Sequence, residues 1–378
     1  MRSPERHVPP PDPDAHDIPE VVTRPLVFRG RGAVTRPDGR FESQRREATD
    51  DGWDAPPEET PPLRTELLID TSKTVISRNQ SPDVGFSQSI NPYRGCEHGC
   101  TYCFARPTHS YLGLSAGLDF ETRIAYKPDA VAQLRRELAK PGYQCSPIAL
   151  GINTDGWQPV ERKLGITRGL LEVLAECRHP VTIVTKSALI AERDVDLLAD
   201  MARQGLAEVA FSITTLDKKL ALAMEPRAAA PHRRLQAMRI LHEAGIPVSV
   251  LFAPLIPALN DHELEAVVEA AHAAGAHAAG YVLLRLPHEL GEIFPAWLRQ
   301  HAPGRAEHVL SLLRQMHGGE LYRSGFGTRM RGEGVFAQMY SKRMRLLAER
   351  LGLNQRRYAL NTRAFCPPRT DTPQMSLF

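Results

Sequence analysis

Between residues 84 and 290, short apolar runs alternate with amphipathic segments, and this alternation limits the possible folds more than any other feature. The apolar runs are FSQSI, PIALGIN, VTIVTK, AEVAFSIT, IPVSVLFA and AAGYVLLRL. Between them lie PDAVAQLRRELAKPG, ITRGLLEVLAECRHP, ERDVDLLADMARQG, PHRRLQAMRILHEAG and NDHELEAVVEAAHAAG, which read as helices. In the first helix Pro128 marks the start, Val131, Leu134 and Leu138 share a face, and Pro141-Gly142 marks the stop. Six strands separated by helices form parallel βα units. Apolar strand runs fit burial on both faces, and right-handed crossovers close or nearly close the sheet. The expected fold is therefore α/β, a partial (β/α)6 TIM-like barrel, with a flat doubly wound sheet as the alternative.

The flanks differ from this middle. Residues 1–62 hold 12 of the 31 prolines, with 9 Arg against 13 Asp or Glu. This composition predicts a largely disordered, Pro-rich acidic segment over 1–70. One stretch within it, RPLVFRGRGAVTRPDGRFES, reads either as a short docked strand or hairpin or as a tethered loop. The core barrel is expected over 71–290, and a helical, basic extension over 291–378. Residues 321–378 carry 11 Lys or Arg against 3 acids. The opening residues have no apolar core and do not read as a signal peptide. The longest apolar stretch, IPVSVLFAPLIPAL, is interrupted by prolines and too short to span a bilayer. A cytoplasmic protein with no membrane partner is expected.

Six cysteines are too few for a disulfide scaffold, yet Cys96, Cys100 and Cys103 cluster in INPYRGCEHGCTYCFARPTH. This cluster reads as a metal site, and three occupants are compatible with it. Zinc would need a fourth ligand, and His98, between two of the cysteines in a tight loop, is poorly placed to supply it. A four-cysteine iron–sulfur cluster would need another thiolate, but Cys145, Cys177 and Cys366 are isolated. A cubane held by three thiolates would leave one iron open, which accounts for three cysteines rather than four.

The Cys-x3-Cys-x2-Cys spacing, with aromatic Tyr102 just before the last cysteine, resembles the signature of radical S-adenosylmethionine enzymes. The wider stretch SPDVGFSQSINPYRGCEHGCTYCFARPTHSYLGLSAGLDFETRI resembles the branch around spore photoproduct lyase, whose members are often described as DNA repair photolyase-like. The resemblance implies a lyase or transferase with a [4Fe–4S] cluster on Cys96, Cys100 and Cys103. Its open iron would bind the amino and carboxylate groups of S-adenosylmethionine. Reductive cleavage would give a 5′-deoxyadenosyl radical, and the protein would position and shield it. An electron donor such as flavodoxin or ferredoxin is implied.

Active sites of such barrels lie at the C-terminal strand ends. Polar residues recur there: Thr154 and Asp155, Lys186 and Ser187, Ser212, Thr214 and Thr215, then Glu225 and Arg227. By the resemblance, Thr154, Lys186 and Ser212 sit where related enzymes bind the polar groups of S-adenosylmethionine. Lys186 would meet the carboxylate, Asp155 the ammonium, and the hydroxyls the ribose or carboxylate. Tyr102 would lie near the adenine, and Arg227 is a further candidate contact. No catalytic residue is assigned.

The sequence departs from the family pattern at one point. Spore photoproduct lyase carries a hydrogen-donating cysteine at the end of the second strand, where this chain has Gly151-Ile152-Asn153-Thr154-Asp155. Cys145 begins that strand, roughly 25 Å from its far end at ~3.3 Å per residue. The basic tail, including Arg329, Arg331, Lys342, Arg343, Arg345, Arg350, Arg356 and Arg357 with Tyr340 and Tyr358 interleaved, suits either a nucleic-acid substrate or a solvated helix face. Arg285, ending the sixth strand, would bind an anionic substrate or pair with an internal acid. Two further readings stand beside a radical enzyme acting on an unidentified substrate, with nucleic acid one candidate: an RNA-modifying radical enzyme, and a zinc-binding nucleic-acid adaptor without catalysis.

Overall fold

The structure, a computed structural model, describes residues 31–35, 37, 40–41, 64–355 and 359–368. Most of the expected lead-in lies outside the described residues, as do Arg356, Arg357 and Tyr358. Ten strands occur among the described residues: β1 (Glu66–Ile69), β2 (Ile76–Arg78), β3 (Gln88–Ile90), β4 (Tyr93–Arg94), β5 (Arg123–Tyr126), β6 (Ile148–Leu150), β7 (Val181–Thr185), β8 (Ala207–Ser212), β9 (Val248–Leu255) and β10 (Ala278–Leu283). They form a seven-stranded sheet, ordered β10-β9-β8-β7-β6-β3-β2, and a three-stranded sheet, ordered β1-β5-β4. The six strands from β3 to β10 in the large sheet pair in parallel and coincide with the six apolar runs, while β2 adds an antiparallel edge. Helices cover the sheet, giving the partial (β/α) barrel expected from the alternation.

The strands are not equally buried on both faces. In β7 and β8 fully buried residues alternate with half-buried ones. Val181, Ile183, Val209 and Phe211 share one apolar cluster with Leu170, Leu174, Leu198 and Met201 of the covering helices. Each such side chain, fully removed from water, contributes about 1.5–3 kcal/mol before the entropy of ordering. The half-buried set, including Thr182, Val184 and Ala210, faces the less filled interior of an unclosed barrel.

The small sheet was not legible as strands in the sequence. Its β4 intervenes between β3 and the cysteine loop, pairing antiparallel with β5. At the other end of the chain, helices span Leu290–His301, Ala306–Met316 and Gly334–Arg350. Phe294, Trp297, Leu298, Val309, Leu310 and Leu313 pack in one cluster with Cys100 and Tyr102, so the first two of these helices back the cysteine loop. No helix among the described residues is long and apolar enough to cross a membrane.

Candidate active site

The cysteine loop leaves β4 at Gly95, whose φ of +86° and near neighbours exclude a side chain. A Cβ there would stand 2.8 Å from the Phe120 carbonyl oxygen. The Cys96 amide donates to that same carbonyl at 2.9 Å, and the Cys103 amide donates to the Cys100 carbonyl at 3.2 Å. Beneath the loop, fully buried Arg106 donates to the carbonyls of Cys100 (2.8 Å), Gly99 (3.1 Å), Ala116 (3.1 Å) and Gly117 (2.8 Å), and pairs with buried Glu121. One guanidinium therefore fixes the backbone of the turn.

Cys96 and Cys100 are buried and Cys103 is half-buried. Burial pushes the Cys96 thiol well above its ordinary value, with the charges of Asp155, Cys100 and Cys103 adding to the effect and the Asp155 backbone amide opposing it. Burial likewise pushes Cys100 up to about 12, opposed by Lys186. Cys96 and Cys100 give up the proton when a metal coordinates them. Among the described residues, no three His, Cys, Asp or Glu side chains converge on a point as a single ion would need. A tetrahedral zinc requires four ligands within about 2.0–2.3 Å. A polynuclear cluster instead takes one thiolate at each of several separate corners. Glu97 Oε2 and Thr101 Oγ1, in the same loop, are buried without a hydrogen-bond partner.

The strand-end residues fall into two groups. Thr154 and Asp155 are committed to protein. The Thr154 hydroxyl donates to the Gly95 carbonyl at 2.7 Å, supported by Gln158, whose side chain also accepts from the Glu97 amide at 2.8 Å. The Asp155 carboxylate accepts from the Trp157 amide (2.9 Å), the Lys186 amide (2.8 Å) and the Thr185 hydroxyl (2.9 Å), with His98 Nδ1 3.4 Å away. Its lone pairs are thus taken by the turn it organises. Arg227 pairs with Glu97 at 3.2 Å and is half-exposed.

Lys186 and Ser212 remain available. Lys186 Nζ lies 5.7 Å from the centre of the Tyr102 ring, with no ion-pair partner among the described residues. Burial lowers its pKa, but the charges of Cys100 and Glu225 outweigh that and raise it, so it is a cation beside the cysteine loop. Ser212 is buried at the end of β8. Beside them Tyr102 hydrogen-bonds Glu225, which also accepts from Thr214 Oγ1 at 2.6 Å and pairs with Arg234. Sequence reasoning missed Arg234, Arg106, Glu121 and Gln158, because each lies inside a helix or loop pattern that gives no sign of inward direction.

A cavity of about 230 Å³ adjoins this site, lined by His98, Trp157, Ser187, Leu189 and Arg227 among others. A second, of about 500 Å³, lies at the rim between His288, after β10, and the loop carrying Tyr322, Arg323 and Thr328. Arg285 stacks on Phe104, the residue after Cys103, at 4.1 Å and has no acidic partner within ion-pair distance among the described residues. Tyr93 is buried and bonded to Glu161. Most charges of the C-terminal helix are paired at the surface: Arg343 with Glu265, Arg345 with Glu349 and Arg350 with Glu269.

Residues 90–271, from β3 through the helix after β9, match the family described as the Radical SAM superfamily. The chain belongs to that superfamily and carries its catalytic domain, so it is an enzyme; members use S-adenosylmethionine and an iron–sulfur cluster. Over 232 residues it is 36% identical to an uncharacterized protein of Mycobacterium tuberculosis (strain ATCC 25618 / H37Rv), covering 61% of this chain and 68% of that protein. It is 27% identical over 200 residues to an uncharacterized protein of Methanocaldococcus jannaschii, covering 53% and 71% respectively. A solved spore photoproduct lyase variant superposes with a TM-score of 0.51 over 75% of this chain and 79% of that one, at 19% identity. That likeness is one of fold.

Proposed function

We propose that Cys96, Cys100 and Cys103 ligate one [4Fe–4S] cluster and that the chain cleaves S-adenosylmethionine reductively beside it. The observation that carries this reading is the set of three buried or half-buried thiols on one loop, with Lys186, which has no ion-pair partner among the described residues, over the Tyr102 ring of the same loop. When bound, the cluster would supply the electron that cleaves the cofactor to a 5′-deoxyadenosyl radical. Lys186 holds the cofactor's carboxylate, and the Ser212 hydroxyl takes a second polar group. Tyr102, fixed by Glu225 and Thr214, walls the adenine side. Thr154 and Asp155 act one step back: Thr154 holds the loop at Gly95, and Asp155 holds the Lys186 backbone. Arg227 closes the rim through Glu97. A reduced flavodoxin or ferredoxin supplies the electron.

For the substrate we favour a nucleic acid. Support comes from the rim rather than the C-terminal helix. Arg285 stacks on Phe104 at 4.1 Å and has no acidic partner among the described residues, while Arg329, over Phe326 at 4.9 Å, and Arg40, 5.6 Å from Phe41 and 5.7 Å from Tyr111, are paired with Asp83 and Glu289. Phe41, Tyr111 and Phe326 are more than 60% exposed, as stacking platforms for bases must be. The test of the core proposal is anaerobic. Reconstituted, dithionite-reduced protein is expected to convert S-adenosylmethionine to 5′-deoxyadenosine, and Cys96→Ala, Cys100→Ala and Cys103→Ala are each expected to lose both iron and activity. Cys145→Ala, Cys177→Ala and Cys366→Ala should keep their iron; its loss in any of these three would overturn the ligand assignment.

A further inference from the structure

Residues 31–35 belong to neither sheet, yet Ala33 and Val34 are only 1% and 4% exposed. The segment runs along the cysteine loop. The Gly32 amide donates to Glu121 Oε2 at 2.9 Å and the Ala33 amide to Oε1 at 2.8 Å, while Arg31 Nη1 donates to the Glu121 carbonyl at 2.8 Å. The same carboxylate pairs with Arg106, which grips the Gly99 and Cys100 carbonyls. Glu121 thus joins the segment on one side to the loop on the other. The approach is closer than any side chain permits: a Cβ on Gly32 would stand 2.0 Å from the Gly99 carbonyl oxygen and 3.0 Å from Thr101 Cγ2. Val34 enters the apolar cluster that contains Cys100 and Tyr102.

We propose that residues 31–34 form a latch that holds the Cys96–Cys103 loop in its ligating conformation and covers Cys100. This rests on the reading of those cysteines as cluster ligands. Three thiolates bind a cluster well only when their spacing is set in advance, and ordering a mobile loop at the moment of binding opposes affinity. Gly32 and Ala33 are positioning residues: they act on the ligands through Glu121 and Arg106. Their place outside both sheets means that the latch can lift while the barrel strands stay paired.

Two full-length variants test this. In Gly32→Ala the added methyl cannot fit against a backbone oxygen, so the segment must move away and withdraw its two donors. Ala33→Pro removes one donor to Glu121 without adding atoms beside Gly99. Circular dichroism and thermal melting report whether the barrel is intact. In the metal-free proteins, alkylation of Cys100 by N-ethylmaleimide, followed by mass spectrometry, is expected to be at least about tenfold faster in both variants than in wild type. In the reconstituted proteins, release of iron to a chelator is expected to accelerate severalfold, with a smaller reduced-cluster signal in electron paramagnetic resonance. Alkylation and iron release within about twofold of wild type in Gly32→Ala would overturn the latch. Wild-type protein that retains iron while the variants match it defeats the latch alone. Wild-type protein that never takes up iron defeats the ligand assignment, and with it the latch's ligating role.

Discussion

Arg234→Met is expected to destabilise the protein severely, because it leaves a carboxylate buried without its cation. Arg234 and Glu225 are 1% and 3% exposed and are directly paired. Arg234 also donates to the carbonyls of Ser212 at 2.9 Å and Ala229 at 2.7 Å, so the variant removes a donor from one buried and one half-buried acceptor as well. Breaking one side of a buried pair costs about 3–5 kcal/mol. At roughly 2–4 °C per kcal/mol for a domain of this size, the melting temperature should fall by about 6–20 °C. Glu225→Gln in the same background removes the stranded charge, and the double variant should recover at least about 1 kcal/mol of the loss. The acid limb offers a second check. Burial raises the Glu225 carboxyl, but Arg234 and Lys186 outweigh it and hold the group at about 2, below its ordinary 4.5. A depressed carboxylate stabilises the fold above its unfolded pKa, so this contribution is full above about pH 4.5 and disappears as the pH falls towards 2. Thermal melts by circular dichroism at neutral pH read the main effect. A melting temperature within about 2 °C of wild type for Arg234→Met, or a double variant no better than the single, would refute the reasoning.

Lys186→Ala should keep the iron content of wild type and weaken S-adenosylmethionine binding by roughly tenfold to a hundredfold, the worth of one charge-assisted contact at about 1.5–3 kcal/mol; unchanged affinity by calorimetry would remove Lys186 from the site. The reduced protein should not efficiently repair spore photoproduct in an oligonucleotide, because the strand-end thiol is absent and Cys145 lies before β6, at the other end of the strand; rapid conversion to two thymines, undiminished in Cys145→Ala, would contradict this. Arg285→Ala should weaken binding of a single-stranded oligonucleotide and flatten its salt dependence if the rim engages phosphates; an unchanged salt slope would count against that reading.

The six parallel strands were legible because each is a short apolar run between helices with clear stops, and period and punctuation survive in one dimension. The three cysteines were legible because their spacing is chemical. Burial on both strand faces was the wrong expectation for β7 and β8, since an unclosed barrel leaves alternate residues half-exposed. The roles of Thr154 and Asp155 were also hard to read: a hydroxyl or carboxylate at a strand end looks the same whether it faces a ligand or caps a turn. Here the Thr154 hydroxyl is bonded to the cysteine loop at Gly95 and the Asp155 carboxylate to the backbone that follows β7. The small sheet escaped notice because β4 has two residues and β1 is mostly exposed. Arg106, Glu121 and Arg234 escaped because charged residues are usually solvated, and only tertiary structure shows that these three are buried and paired. The C-terminal arginines show the converse, a basic run whose charges are balanced by Glu265, Glu269 and Glu349.

The central claim, that three cysteines hold a cluster with one iron open to the cofactor, is tested most directly by electron paramagnetic resonance of the reduced, reconstituted protein with and without S-adenosylmethionine. The account predicts a [4Fe–4S]+ signal whose g-values shift on addition of the cofactor, and no such signal in Cys96→Ala, Cys100→Ala or Cys103→Ala. A cluster signal that the cofactor leaves unchanged, or a protein that holds stoichiometric zinc and no iron, would contradict it.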